Sequence, residues 1–233
     1  MIRKLLIFVF IFNLTACAEL QQVVNQFPQG TLGNDEIASG LKQALDFGID
    51  KQVSKLTQTD GFLKNEMVKI LLPDELKKVD KTLRDVGLGN LADEGLKVLN
   101  RAAEDAVKEA TPIFVDAVKG ITFADAKNIL LGSDNAATQY LTSKTETALY
   151  AKFNPVIKNS FNKVGADKIW SNLITRYNAL PLTADVNPDL TDYVTKEALE
   201  GVYTMIAVEE KAIRTNFSSR TTDLLKKVFA LQD

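Results

Sequence analysis

The chain has 233 residues, with 28 basic and 30 acidic side chains, a formal net charge of −2 and a hydrophobic content of 45%. Removal of residues 1–16 would take away Arg3 and Lys4, leaving 26 basic and 30 acidic side chains and a net charge of −4. This balance argues against a general nucleic-acid-binding or anionic-membrane-binding surface. The sequence has no histidine and one cysteine, Cys17, which excludes histidine-dependent catalysis, histidine-ligated metals and intrachain disulfides.

The N-terminal segment has the features of a signal peptide. Arg3 and Lys4 precede a ten-residue, largely apolar stretch, Leu5 to Leu14, which is about half of the ~20 residues that a membrane-spanning helix needs. It is the right length for a signal-peptide core. The stretch ends in Leu14-Thr15-Ala16-Cys17, which resembles the lipobox of bacterial lipoproteins. In those signals the cysteine thiol takes a diacylglyceryl group, the chain is cleaved before the cysteine, and the new N-terminus is acylated.

This resemblance predicts that residues 1–16 are a lipoprotein signal peptide and that Cys17 carries the lipid. Several acyl chains on one residue would anchor the protein stably in a membrane. Ala18, rather than aspartate, follows the cysteine, which by resemblance to the enterobacterial sorting rule favours the outer membrane over the inner. The alternative is an ordinary secretory signal with an incidental cysteine. Residues 17–34 have few strongly apolar positions and are interpreted as a tether.

The remaining residues, 35–233, are predicted to be all-helical. A helix starts at Asn34 or Asp35 and continues to about Thr57, and Thr59-Asp60-Gly61 forms a turn. A short helical or irregular segment follows over residues 62–70. Pro73 then occupies the first position of a helix that Gly87 ends.

Residues 88–121 are predicted to form the central helix of the domain. Apolar residues recur there in alternating steps of four and three: Ala92, Leu96, Leu99, Ala103, Ala106, Ala110, Ile113 and Ala117. This is helical spacing, and its alanines allow neighbouring helices to approach closely. Pro112 lies opposite the apolar stripe, so a bend is expected there rather than a break.

Further helices are predicted in the second half of the chain. Their approximate ranges are 122–132, 133–152, 155–165, 167–178 with the only tryptophan, Trp170, then 189–215 and 220–231, with a loop at 179–188. No stretch has convincing period-two alternation. The fold class is therefore predicted as all-α: a single multi-helix globular bundle built around two long helices, 88–121 and 189–215.

Polar residues on one edge of the first long helix form a candidate site. Asp93, Asn100, Glu104 and Thr111 border its apolar stripe. They could line a polar cleft for a ligand or metal, but the favoured interpretation is that they are buried, bond to neighbouring helices and fix the register of those helices.

Glu209 is the second candidate, because Val202, Ile206, Glu209 and Ile213 follow in helical steps toward the core. A carboxylate facing a core needs a partner. Arg220 is the first choice, because a short break lets the chain fold back, and Arg101 is the second. The alternative is that Glu209 reaches solvent near the helix end, while Glu210 and Arg214 are expected to form a surface pair.

Two helix starts could bind an anion on their free N–H groups. They are Ser133-Asp134, with Thr138, and Arg220-Thr221-Thr222-Asp223. More often such a start is capped by its own side chain, which is the favoured interpretation of both.

Several phrases resemble a known family: Asp60-Gly61-Phe62, Asn100-Arg101-Ala102-Ala103-Glu104, residues 134–140, and residues 220–229. They are similar to a bacterial family of helical, often lipoprotein-like envelope proteins that is described only as a domain of unknown function. The similarity covers about residues 38–230. The family implies no activity, substrate or catalytic residue.

The function predicted from these features is that of a lipid-anchored cell-envelope protein that binds or scaffolds without catalysis, cofactor or metal. Its protein partner or small ligand stays open. One alternative is a carboxylate-based enzyme, which needs two carboxylates, or a carboxylate with lysine or tyrosine, in one pocket; Glu104, Asp116 and Glu209 are the candidates. The other is a carrier of a small apolar ligand, which needs an empty apolar cavity.

Overall fold

The structure is a computed structural model that describes residues 33–232 except 86, 88, 165–170, 172–173, 176–177 and 179–188. The predicted signal peptide and tether, Trp170 and the 179–188 loop therefore lie outside the described residues. Eight α-helices and one 3₁₀ helix occur in the described ranges, with no strand, which confirms the predicted all-α fold class. The helices are α1 Asn34–Leu56, α2 Asp74–Asp85, α3 Gly89–Val107, α4 Ala110–Lys119, α5 Phe123–Leu130, α6 Ala136–Val164, α7 Thr191–Thr215 and α8 Asp223–Phe229, with the 3₁₀ helix at Phe217–Ser219.

The central helix predicted over residues 88–121 is two helices, α3 and α4. The expected bend is instead a break, with a turn at Lys108 and Glu109. Pro112 cannot donate a backbone hydrogen bond within a helix. Starting α4 at Ala110 puts Pro112 in the first turn, where N–H groups have no partner within the helix anyway.

A second correction concerns α6, because residues 133–152 and 155–165 do not form separate helices. Ala136–Val164 is one helix of 29 residues with Pro155 inside it. Leu149, Phe153 and Ile157, four residues apart, are completely buried. Their packing on both sides of Pro155 offsets the ~3 kcal/mol that an interior proline costs a helix.

Four helices, α1, α3, α6 and α7, provide most of the contacts in the bundle. α6 packs on α7 and α3, and α7 also packs on α1 and α3. α1 in turn contacts α4, α5 and α8. The second long helix was predicted correctly as α7, whose Val194, Ala198 and Gly201 are buried.

Local signals explain where several shorter helices start. Thr122 and Asp125 form a capping box at α5, in which each side chain accepts the other's backbone N–H. The Thr222 side chain accepts the N–H of Leu225 at the start of α8, so self-capping is confirmed there. None of the described helices is sufficiently long and apolar to traverse a bilayer.

Candidate functional site

The C-terminal half of α7 places three charged side chains in the protein interior. Glu209, Glu210 and Arg214 are only 5%, 7% and 8% exposed. Buried charges are costly unless they are paired and hydrogen-bonded, so their partners determine what this region can do.

Glu209 is buried as predicted, but its partners are neither Arg220 nor Arg101. Its Oε1 accepts from Lys51 Nζ at 2.6 Å, and its Oε2 accepts from Gln52 Nε2 at 2.7 Å. Both partners belong to α1, which packs antiparallel to α7. A Cβ at Gly48 would lie 3.4 Å from Glu209 Cγ, so α1 and α7 are close to each other at this point. The Gln52 side-chain oxygen is buried and has no hydrogen-bond partner in the described structure.

Glu210 was expected on the surface and is instead the N-terminal cap of α6. Its carboxylate accepts from the backbone N–H of Ala137 at 2.9 Å and from that of Thr138 at 2.8 Å, and also from the Thr138 hydroxyl at 2.8 Å. The free N–H groups of the Ser133-Asp134 helix start therefore bind an anion, as one interpretation proposed, but that anion belongs to the chain itself.

Arg214 forms the expected pair with Glu210, but inside the protein. Its Nε and Nη2 donate to Glu210 Oε1 at 3.0 and 2.8 Å. Nη2 and Nη1 also donate to the carbonyls of Ile129 and Leu130 at 2.8 and 3.1 Å. These carbonyls end α5, where a cation is favoured. The pair therefore connects the end of α5, the start of α6 and α7.

Arg220 is buried at 2% exposure, but it binds backbone rather than Glu209. Its Nε donates to the Ile213 carbonyl at 3.1 Å and its Nη2 to the Arg214 carbonyl at 3.0 Å. The guanidinium also lies about 6 Å from the ring centres of Phe217 and Phe229. Arg220 thus caps the C-terminal end of α7 and fixes the chain reversal into α8.

Asn100, Arg101 and Glu104 form a separate polar cluster on α3. Asn100 binds Ile70 through both its amide atoms, accepting its N–H and donating to its carbonyl, each at 2.9 Å. Glu104 accepts the Phe62 N–H at 3.2 Å and pairs with Arg101 at 2.5 Å. The irregular segment 57–72 is thereby attached to α3. Asn100 and Glu104 are buried as predicted, but they bind this segment rather than neighbouring helices.

Arg101 also pairs with Asp60, whose φ of 69° places it in the left-handed region of the turn. A hydrogen bond from Lys64 and the nearby Arg101 charge hold the pKa of Asp60 below its usual value. Glu104 and Asp60, in accepting from Arg101, raise its pKa. Lys64, Asp60, Arg101 and Glu104 therefore form one ion-pair network.

Three other residues that the sequence suggested for a site lie outside the buried clusters on α3 and α7. Asp93 is exposed and pairs with Arg84 at 2.7 Å, Thr111 is half-buried, and Asp116 has an 81% exposed side chain. Glu104 and Glu209 have no partner in common. The favoured prediction that these residues are buried is therefore wrong for Asp93, which is exposed, and for Thr111, which is only half-buried.

The described residues line two concavities of different character. The first is a small, partly open space of about 20 Å³ between α1, α6, α7 and α8. Its surface is mainly apolar and includes Leu45, Ile206 and Phe229, and the buried Glu209, Glu210 and Arg214 also line it. This space has room for about one water molecule. The second is an open groove of about 520 Å³ between α6 and α7, lined by Thr138, Thr142, Glu146, Tyr150, Lys196, Leu199, Glu200, Tyr203, Thr204 and Ala207.

The groove contains carboxylate, lysine and tyrosine side chains, so their protonation matters. The Tyr150 hydroxyl donates to Asp192 at 2.5 Å, and Lys196 pairs with Asp192 at 2.8 Å. These hydrogen bonds raise the pKa of both Tyr150 and Lys196. The protonated forms of both groups are therefore favoured, whereas a general base or a nucleophile must be deprotonated.

Sequence reasoning missed Lys51, Gln52, Glu210 and Arg214 as members of the buried site. Gln52 could have been found, because it lies on the same face of α1 as Ile49, Val53 and Leu56. No local sequence pattern indicates the burial of Glu210 and Arg214, because it depends on tertiary structure. The C-terminal end of α5 and the N-terminal end of α6 both lie beside α7. Within the described ranges, no group of three or more acidic or cysteine side chains could hold a metal ion.

Comparison with known proteins places the chain in a family. Residues 31–230 match the family described as protein of unknown function (DUF4197). The chain belongs to this family. Comparisons with curated proteins and with solved structures found no match. The family supplies no activity, and the two buried clusters on α3 and α7 lie within the region that it covers.

Proposed function

We propose that this protein is a lipid-anchored component of the bacterial cell envelope with a binding or scaffolding role and no catalytic activity. The location rests on the sequence, in which the only cysteine of the chain, Cys17, ends a lipobox-like tetrapeptide. Ala18 after the cysteine favours the outer membrane.

The observation that carries the non-catalytic role is the state of the buried carboxylates. Glu104, Glu209 and Glu210 each accept hydrogen bonds from other parts of the protein. A carboxylate that acts as an acid or base must reach a substrate proton. Glu209 and Glu210 connect helices, and Glu104 attaches the segment 57–72 to α3. The space that Glu209 and Glu210 line has only about 20 Å³, which is too small for a substrate, and this arrangement suits a rigid binding body.

The two alternatives have less support. An enzyme using the groove between α6 and α7 would need Glu146 or Glu200 to act with Tyr150 or Lys196, and both of these last side chains are already bound to Asp192. A carrier of an apolar ligand needs a cavity of roughly 300 Å³ or more. The apolar space between α1, α6, α7 and α8 has about 20 Å³.

The location can be tested by mass spectrometry of the mature N-terminus. We expect a diacylglyceryl-modified, N-acylated Cys17 as the first residue, in the outer-membrane fraction. Cys17→Ala should prevent lipidation and leave the precursor unprocessed or release the protein from the membrane. Ser143→Ala, at an exposed serine of α6, is the control and should change neither mass nor fractionation of the N-terminal peptide. An unmodified mature N-terminus at another residue would refute the proposal.

A further inference from the structure

One end of the helical bundle is where α1 begins and where the chain arrives from its N-terminal segment. Near the start of α1, a Cβ at Gly40 would lie 2.5 Å from Val228 on α8. In the next turn, Gln43 accepts a hydrogen bond from Thr222 at 2.7 Å. The first turns of α1 therefore lie beside α8.

The same end contains the C-terminal ends of α5 and α7. Arg214 donates to the Leu130 carbonyl at 3.1 Å, and Arg220 donates to the Arg214 carbonyl at 3.0 Å. The Gln232 side chain also donates to the Leu130 carbonyl. These contacts bring residues 130–131, 214–220 and 229–232 together.

Three large apolar side chains are exposed on this end. Leu131 is 63% exposed, Phe217 54% and Leu231 51%. Single exposed apolar residues are ordinary, but these three come from three different segments that meet at one place. The first helix, α1, also begins at this end with Asn34, so any N-terminal anchor joins the domain here.

The opposite end provides a comparison. Met67 and Leu71 are exposed to a similar extent, 57% and 53%. The Tyr193 hydroxyl, at the start of α7, donates to the Leu71 carbonyl at 2.9 Å. Tyr193 and Arg214 are 21 residues apart on one helix, which at 1.5 Å per residue separates the two ends by about 30 Å.

We propose that the end formed by Leu131, Phe217 and Leu231 lies on the lipid surface to which the protein is anchored. This inference rests on the proposed lipidation of Cys17. The sixteen residues between Cys17 and Asn34 can span at most about 55 Å, and they join the domain at this end, so this end reaches the bilayer with the least extension of the tether. A tether of this kind makes contact between a small apolar surface and lipid effectively intramolecular. Apolar side chains at an interface bury themselves at the boundary between headgroups and acyl chains.

The single cysteine makes the test specific. Because lipidation would consume the Cys17 thiol, a cysteine introduced elsewhere is the only free thiol in the mature protein. Leu131→Cys and Leu231→Cys report on the proposed lipid-facing end, and Met67→Cys and Leu71→Cys are matched controls of similar exposure. Each full-length lipidated variant is labelled with an environment-sensitive fluorophore and reconstituted into phosphatidylethanolamine–phosphatidylglycerol vesicles, with and without brominated acyl chains.

We expect brominated lipid to quench the labels at positions 131 and 231 by about twofold, with little change at positions 67 and 71, because only an interfacial label contacts acyl chains. Vesicle flotation measures anchoring separately. Protein that floats with equal quenching at all four positions overturns the inference but leaves the anchor intact. Protein that does not float overturns both. If labels at 131 and 231 are shielded, brominated lipid does not change their signal, and a lower protein-to-lipid ratio removes the shielding, then a second copy covers this end and the inference is overturned.

Discussion

Glu210, near the C-terminal end of α7, accepts hydrogen bonds from both the backbone N–H and the hydroxyl of Thr138 in the first turn of α6, each at 2.8 Å. A side chain from a distant helix thus does what a helix usually obtains from its own preceding residue. Because the same carboxylate pairs with Arg214, it neutralises a buried cation and completes a helix start at once.

Removal of this carboxylate should destabilise the protein strongly. We expect Glu210→Gln to lower the free energy of unfolding by about 3–5 kcal/mol, because Arg214 would remain buried without its counter-charge. Urea denaturation followed by far-UV circular dichroism measures the change. Glu200→Gln, an exposed position on the same helix, is the matched control and should change stability by less than about 0.5 kcal/mol. Equal effects of the two substitutions would contradict the structural role of Glu210.

Glu209 should be coupled to α1 and not to Arg220. In a double-mutant cycle, Glu209→Gln and Gln52→Leu should be non-additive, because the two side chains share a buried hydrogen bond. Glu209→Gln and Arg220→Gln should be additive, since they share no partner. Lys51 is 41% exposed, so Lys51→Met should cost less than about 1 kcal/mol. Coupling between Glu209 and Arg220 in denaturant melts would contradict the observed contacts.

Tyr203 should make the protein sensitive to alkali. Burial raises the pKa of Tyr203 to about 12, from an ordinary value near 10. A raised pKa in the folded state means that the stabilisation is complete below about pH 10 and is lost as pH rises toward 12. We expect the stability difference between wild type and Tyr203→Phe to shrink by about 1 kcal/mol between pH 9 and pH 11.

The hydrogen bond of Tyr203 defines the control for that measurement. The Thr145 hydroxyl donates to the Leu141 carbonyl at 2.7 Å, so at 2.8 Å the Tyr203 hydroxyl is the donor to Thr145. Loss of this bond should cost Tyr203→Phe about 1 kcal/mol at pH 9. Tyr140→Phe, whose ring is less buried, should show a smaller change with pH. A pH-independent difference for Tyr203→Phe would show that this tyrosine does not titrate differently on unfolding.

Two glycines should respond to alanine in opposite directions. A Cβ at Gly201 would lie 2.7 Å from Phe62 Cε1, whereas a Cβ at Gly48 would meet nothing closer than Glu209 Cγ at 3.4 Å. We expect Gly201→Ala to destabilise the protein by about 1–3 kcal/mol through overpacking. Gly48→Ala should be neutral or stabilising by up to about 1 kcal/mol, because alanine is favoured over glycine inside a helix. Thermal melts of both variants test this, and a stabilised Gly201→Ala protein would contradict the close approach of Phe62.

The division of the chain into helices could mostly be read from the sequence, with two exceptions that both involve proline. Pro112 ends up in a first helical turn after a break, whereas Pro155 lies inside a continuous helix. Local rules treat the two residues alike, because each lacks a backbone donor. The difference lies in tertiary packing, because Leu149, Phe153 and Ile157 around Pro155 are buried in a helix that packs on α3 and α7.

The burial of Glu209 could also be predicted, since helical spacing alone places it beside Met205 and Ile213. Its partners could not, because Lys51 and Gln52 lie more than 150 residues away and reach it only through the packing of α1 on α7. For Glu210 and Arg214 even the burial was predicted wrongly. Charge spacing of four residues is the same for a surface pair and a buried one.

The sequence by itself determined the all-α class, the helix start at Thr122, and the inward position of Asn100, Glu104 and Glu209, because these depend on periodicity and on residues a few positions apart. Only the tertiary structure decided which charges meet. The ends of α5 and α6 come to lie beside α7, and their free carbonyl and N–H groups then select Arg214 and Glu210 as partners. Pairing of this kind depends on the positions of helix ends in the folded protein, which local sequence patterns do not indicate.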